Sequence, residues 1–178
     1  SRALVRAAFA LIEGIVFSLK KIALEADTHR DKALSAHDIA QLREEQSFVS
    51  KNGDVDIRQV KTPFVPNMRF TFKVVARVHR ADFVLDSGGR GWQAFARSID
   101  VRDRLTHPKT PADVAISEKE LKDLLEAFEW FHEAYIGLFL SIRQAQLKRI
   151  QELDIKKTEL AAERAELDKK ISALKAEL

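Results

Sequence analysis

Apolar residues recur every three or four positions near the start of the chain, at Leu4, Ala8, Leu11, Ile15, Leu19 and Ile22, and Val5, Ile12 and Val16 widen the stripe. That period predicts an amphipathic helix with a broad face turned to a core. Gly14 lies inside it, where glycine costs about 1 kcal/mol relative to alanine, so it marks a candidate close helix crossing. The polar stretch Asp27 to Lys32 predicts the end of this helix. A shorter helix is expected from near Ser35 to about Gln46, with Ile39 and Leu42 inward.

The period changes over residues 47–62. Ser47-Phe-Val-Ser and Val55-Asp-Ile-Arg-Gln-Val alternate as strands do, and Asn52-Gly53 between them is a strong two-residue hairpin signal. A lone hairpin is marginal in water, so it is expected as an insertion that leans on helices. Over Asn67 to Arg80, Arg69-Phe-Thr-Phe-Lys-Val alternates as a strand would, yet Met68, Phe72, Val75 and His79 keep helical spacing and Pro66 and Asn67 supply a start signal, so a helix is expected. Ser87-Gly-Gly-Arg-Gly91 reads as a turn. Trp92, Phe95, Ile99 and Val101 or Arg102 then predict a helix stopped just before Pro108.

The last helix should open at Ser117, because Ser117-x-x-Glu120 is a capping box that satisfies orphan backbone donors. Leu121, Leu124, Phe128, Phe131, Tyr135, Leu138 and Ile142 form its bundle stripe, and no breaker follows. Beyond about Arg149 the pattern becomes a heptad. Leu153, Leu160, Leu167 and Leu174 take every seventh place, with Ile150 and Ile171 at the second seam position. Four such heptads predict a coiled coil, and Lys157 and Arg164 on the seam favour two strands over more. The expected fold is therefore all-α: a helical bundle over 1–142 with a small β-hairpin insertion, and a long C-terminal coiled-coil helix over 143–178. Parallel or antiparallel pairing stays open.

Composition agrees with this. The chain has 178 residues, 46% of them hydrophobic and 32% charged, which suffices for a core and argues against disorder. Six Gly and four Pro suit long helices better than a turn-rich β fold. The absence of cysteine excludes a disulfide scaffold and thiolate metal sites, and is compatible with the cytoplasm. Arg6, Glu13, Lys20 and Lys21 interrupt the first apolar stretch, so it is expected neither to span a membrane nor to act as a signal peptide. The chain opens at Ser1 rather than Met, as a sequence with residues upstream would. Net charge is only +3, yet between Arg58 and Lys109 eleven Lys/Arg face four acids, an excess of +7 that can attract phosphate.

Most catalytic patterns are missing. His29, His37, His79, His107 and His132 form no metal-binding spacing, and Ser87-Gly-Gly-Arg-Gly91 lacks the Lys-Ser/Thr of a phosphate-binding loop. No metal or cofactor is expected. One cluster remains, Arg97-Ser-Ile-Asp-Val-Arg102-Asp103-Arg104-Leu-Thr-His107-Pro108-Lys109, at a helix C-terminus. Arg and His there also suit the negative end of the helix dipole, which is a purely structural role.

The Arg-x4-His string Arg102 to His107, the polar Asp103 after the arginine, and Pro108-Lys109 resemble the HEPN superfamily of helical domains. Gly91-Trp92-Gln-Ala-Phe95, Ser117-x-x-Glu120-Leu121 and the opening Arg2-Ala-Leu-Val-Arg-Ala-Ala-Phe-Ala-Leu-Ile-Glu-Gly14 look like bacterial members too. The resemblance implies a bundle that forms a homodimer with two Arg-x4-His segments facing each other. Many relatives are metal-independent endoribonucleases, often toxins or antiviral effectors; an inhibitory or complex partner protein is a further expectation for this chain. Others have lost catalysis and only bind. Carried over, Arg102 and His107 would be catalytic, and Asp103, Arg104, Lys109 and Arg97 would lie along the RNA substrate. Relatives often have Asn after the arginine; Asp103 stands here, and a neutral donor is lost.

The side chains suit RNA cleavage on chemical grounds as well. Attack of a 2′-hydroxyl on its own phosphate needs a proton acceptor, a proton donor and a cation beside phosphorus. Histidine can be acid or base near neutrality, and arginine presents a fixed fork of donors to phosphate oxygens. The alternative expectation is a non-catalytic dimerisation or interaction module in a larger complex.

Overall fold

A computed structural model of the chain describes the backbone of residues 2–28 and 33–176, and all of their side chains except those of 28 and 173–176. His29, the end of the polar stretch at 29–32 and the side chain of Leu174 lie outside the described residues. Five α-helices and one hairpin follow in the order α1 (Arg2–Thr28), α2 (Ala36–Arg43), β1 (Glu45–Val49), β2 (Val55–Gln59), α3 (Phe64–His79), α4 (Arg90–Thr106), a 3-10 turn (Pro111–Val114) and α5 (Glu118–Ala176). The fold is all-α with a β-hairpin insertion and a long C-terminal helix. Internal contacts separate Ser1–Ile142 from Arg143–Leu178. No described helix is long and apolar enough to cross a membrane.

The core of the first unit is drawn from α1, α3, α4 and the first part of α5. Phe9, Ile12, Leu19, Met68, Phe72, Phe95, Leu105 and Leu138 are all fully buried. Phe95 is the hub of the aromatic packing, with Phe9, Phe64, Trp92, Trp130 and Phe131 around it at centroid distances of 5.0 to 6.4 Å. Such offset and tilted pairs add to the area they bury. Gly91 makes this packing possible, because a Cβ there would stand 2.6 Å from the Cβ of Trp130.

The buried side of α1 differs from the sequence expectation. Val5, Phe9, Ile12, Val16, Leu19 and Ala23 point inward, while Leu4 and Leu11 are half exposed. The apolar stripe is wider than the core it meets, and the helix sits rotated toward the Phe9 side. The leucine edge is left wet.

Two helix ends share one device. Glu44 ends α2 and Arg80 ends α3, both in the left-handed conformation at φ 56° and 55°. Glycine is the usual residue there, so the early stop at Glu44 was not visible in the sequence; α3 ends within one residue of the expected Arg80 and begins at Phe64, three residues before the expected Asn67. The reversal at Glu44 ends α2 at Arg43 and starts the hairpin at Glu45, two residues early. At the hairpin tip Gly53 donates to the Ser50 carbonyl at 3.0 Å and Ser50 N–H to that of Asp54 at 2.8 Å, with Gly53 at φ 86°. This is a three-residue loop, a type I turn plus a left-handed glycine, rather than the two-residue Asn-Gly turn. The register pairs Glu45 with Gln59 and Val49 with Val55.

A polar knot joins the hairpin side to the helices. Lys20, with a side chain only 8% exposed, donates to Glu44 Oε1 at 3.1 Å, and Asn67 Nδ2 donates to the same oxygen. Three elements thus share one carboxylate. Ser117 and Glu120 close the expected capping box of α5: Ser117 N–H to Glu120 Oε2 at 2.7 Å and Glu120 N–H to Ser117 Oγ at 3.3 Å.

In the second unit the heptad positions lie on a helix whose seam is open. Ile150, Leu153, Leu160, Leu167 and Ile171 are 49 to 64% exposed.

Candidate functional site

Arg102 and His107 both belong to the C-terminal end of α4. Phe95, Ser98, Val101 and Leu105 anchor that helix by their buried face, which leaves Arg102 at the rim and Asp103 outside. Pro108 forbids a further turn, so His107 becomes the cap residue, its N–H donating to the Asp103 carbonyl at 3.0 Å. The His107 side chain is exposed, and no hydrogen bond from its ring occurs among the described residues.

Arg102 is held far more tightly. Its Nε donates to Asp103 Oδ1 at 2.9 Å, one terminal nitrogen donates to Glu13 of α1, and the other lies 2.8 Å from Asp103 Oδ1. The guanidinium also lies over the rings of Phe9 and Phe64, at 5.5 and 5.6 Å. Cations gain from such faces, most of all when partly desolvated, as this side chain is at 23% exposure. Its two hydrogen bonds and one close ion contact leave two of arginine's five N–H donors uncommitted. Arg6 of α1 donates to the Leu105 carbonyl at 3.3 Å, which fastens α1 to the same helix end.

The neighbouring cations meet acids supplied from elsewhere. Arg97 forms a two-pronged pair with Asp123 of α5, at 2.9 and 2.7 Å. That hydrogen bond raises the basicity of the guanidinium and holds the Asp123 carboxyl below its ordinary pKa. Arg104 donates to the Asp113 and Ala115 carbonyls at 3.1 and 2.9 Å and to Glu120 at 2.6 Å, so it ties α4 to the following turn and to α5. Lys109 donates its backbone N–H to Asp113 at 2.8 Å and leaves its side chain exposed. The Thr110 and Lys109 backbone bonds hold the Asp113 carboxyl below its ordinary range.

The structure therefore brings Arg102, Asp103, Arg104, His107 and Lys109 to one helix end. It commits Arg97 and Arg104 to ion pairs within the chain. The local excess of positive charge counted along the sequence is offset in space by Glu13, Glu120 and Asp123. Glu13 was the partner not foreseen. Its signal was a lone acid inside the apolar stripe of α1, seven residues after Arg6. No group of three or more His, Asp or Glu is placed to hold a metal ion among the described residues. No protein-family model, curated protein or solved structure matches this chain.

Proposed function

We propose that the chain is a metal-independent endoribonuclease of HEPN type, acting on RNA as a cytoplasmic homodimer, in the manner of a toxin or antiviral effector. The observation that carries this reading is the end of α4. There an exposed imidazole on His107 stands one and a half turns beyond a guanidinium that is fixed in orientation yet keeps two donors unspent. A fixed cation can stabilise developing phosphorane charge without reorganising, which is worth about 10²–10³-fold in rate. In the reaction, one imidazole takes the 2′-hydroxyl proton as the 2′-oxygen bonds to phosphorus. The bond to the 5′-oxygen breaks, and that oxygen gains a proton from a second imidazole. The products are a 2′,3′-cyclic phosphate and a 5′-hydroxyl. One chain supplies one such histidine, so the pair requires two chains. The exposed seam of Ile150, Leu153, Leu160, Leu167 and Ile171 suits a role in holding them together.

The test is cleavage of single-stranded RNA in EDTA with mapping of the ends. His107→Ala should abolish cleavage and leave the helical circular-dichroism signal; retained cleavage removes His107 from the mechanism. Growth arrest on expression, rescued by Arg102→Ala, is the expected cellular counterpart.

A second reading has its own support. Glu13 and Asp103 place two negative charges beside Arg102 and would repel a phosphate, and Arg97 and Arg104 are bonded within the chain. On that reading the Arg102 cluster only locks α4 to α1, and the chain is an interaction module in a larger complex. Absence of cleavage, with expression harmless for both forms, decides for it.

A further inference from the structure

We propose that the solvent face of α3 is a binding site for the phosphate backbone of a single-stranded nucleic acid. Arg69, Lys73 and Arg77 follow one another at intervals of four residues, and Arg80 stands at the end of the helix. All four are exposed. At 3.6 residues per turn the first three share about a quarter of the helix circumference, and the file from Arg69 to Arg80 is about 16 Å long. α3 itself contains no acid.

The carboxylates that offset the arginines of α4 have one counterpart here. Asp38 meets Arg77 at 2.7 Å, while Arg69, Lys73 and Arg80 make no ion pair among the described residues. Asp82 and Asp86 follow α3 in the chain, yet neither pairs with these cations, and Asp86 accepts from Gly88 N–H at 2.9 Å instead. Like charges four residues apart weaken a helix. The negative end of the helix dipole accounts for Arg77 and Arg80, but its influence ends within the last turn and does not reach Arg69 and Lys73. Within one chain this line of charge gains nothing. A string of phosphates would neutralise it.

Shape and side-chain type select the occupant. The inner side of α3 is spent on the core through Met68, Phe72, Val75 and Val78, so the file offers no apolar side chain to enter a bilayer. Successive cations rise about 6 Å along the axis, and a regular row of charge is what a nucleic-acid backbone tracks. Arg69 marks a place for a base. Its guanidinium lies over the Trp92 ring at 5.7 Å and donates to Ser87 Oγ at 3.5 Å. Unstacked bases lie on arginine planes held in this way, and an unpaired strand has such bases to offer.

The site is on a different helix from the end of α4 and does not depend on catalysis. Where the nuclease reading holds, the strand would lead toward that end, because Phe64 at the start of α3 lies under Arg102 at 5.6 Å. The test is fluorescence anisotropy of the full chain with a labelled single-stranded 2′-O-methyl oligonucleotide, which lacks the hydroxyl that cleavage would use. Lys73→Glu with Arg80→Glu should weaken binding at least tenfold and lower the salt slope by about 1.4, two contacts at about 0.7 each. Lys21→Glu with Lys51→Glu changes the net charge equally, on α1 and the hairpin tip, and should leave the affinity within about twofold. Lys73→Gln with Arg80→Gly, which suits the left-handed cap, should show an intermediate loss with the helical signal unchanged. Equal losses in the α3 and control variants, no saturable binding by the parent at low salt, or binding of the parent to phosphatidylserine vesicles in place of the oligonucleotide each overturn the site. Binding that depends on α3, without cleavage of ordinary RNA, keeps the site and removes the nuclease. Cleavage that the α3 variants leave unchanged, with no oligonucleotide binding, does the reverse.

Discussion

Two residues inside the bundle show how tightly α4 is fitted and where it is not. Gly91 lets α4 approach α5, and an added methyl would meet the Trp130 Cβ at 2.6 Å, an atom that cannot swing away without its backbone. Gly91→Ala is therefore expected to lower stability by about 1–3 kcal/mol through overpacking, read as a lower urea midpoint. Ser98 is the opposite case. It is 1% exposed and its hydroxyl has no hydrogen-bond partner among the described residues. Ser98→Ala should raise stability by about 1 kcal/mol, since it removes a buried unsatisfied group and improves helix propensity. The arginines separate in the same way. Arg104 bonds two carbonyls and Glu120, so Arg104→Ala should lower the melting temperature whatever the function. If the nuclease reading holds, Arg102→Ala should remove cleavage at a concentration of urea that leaves the fold intact.

The helices themselves were largely legible, because their signals are local. Leu124, Phe131 and Leu138 announced α5 by spacing, Ser117 and Glu120 fixed its start, and Pro108 fixed the end of α4. What could not be read depended on partners distant in the chain or on rare backbone. The left-handed Glu44 moved the end of α2, since nothing about Glu signals that conformation. The rotation of α1 was hidden because Leu4, Val5, Phe9 and Leu11 are equally apolar, and only the assembled core decides among them. At the site, the Arg102 to His107 spacing was visible, while the carboxylates of Glu13, Glu120 and Asp123 that meet its arginines come from other helices. The distal part of α5 carries its own prediction. Its leucines are more than half exposed in one chain, and burying Leu160 against a partner should be worth about 1.5–3 kcal/mol. Amide protection over residues 150–171 should rise with protein concentration, and Leu160→Lys should abolish that rise. Protection that is the same at all concentrations would leave the segment a lone solvated helix.

Several connections between elements run through ionised carboxylates, and this gives the Ser1–Ile142 unit a defined weakness toward acid. Asp38 links α2 to α3, with its carboxylate 2.7 Å from Arg77 and bonded to the backbone and hydroxyl of Ser35. Burial alone would raise its pKa, but the Arg77 hydrogen bond and the Ser35 bonds outweigh that and bring it from 3.8 down to about 2. Glu120 is lowered too, mainly by the Ser117 N–H, and Asp123 mainly by Arg97. A carboxylate more acidic in the folded than in the unfolded chain contributes stability that is complete above its unfolded pKa. That stability disappears as pH falls through the folded value. For Asp38 the window runs from about pH 4 down to about pH 2, and a drop of nearly two units corresponds to about 2 kcal/mol. Urea midpoints should therefore hold steady from neutrality to about pH 5 and decline steeply below pH 4. Asp38→Asn should lower stability at neutral pH and flatten that decline. If the mutant and the parent decline in parallel, Asp38 is not a source of the acid sensitivity, and the α2–α3 junction owes its strength to packing around Leu42 and Met68 instead.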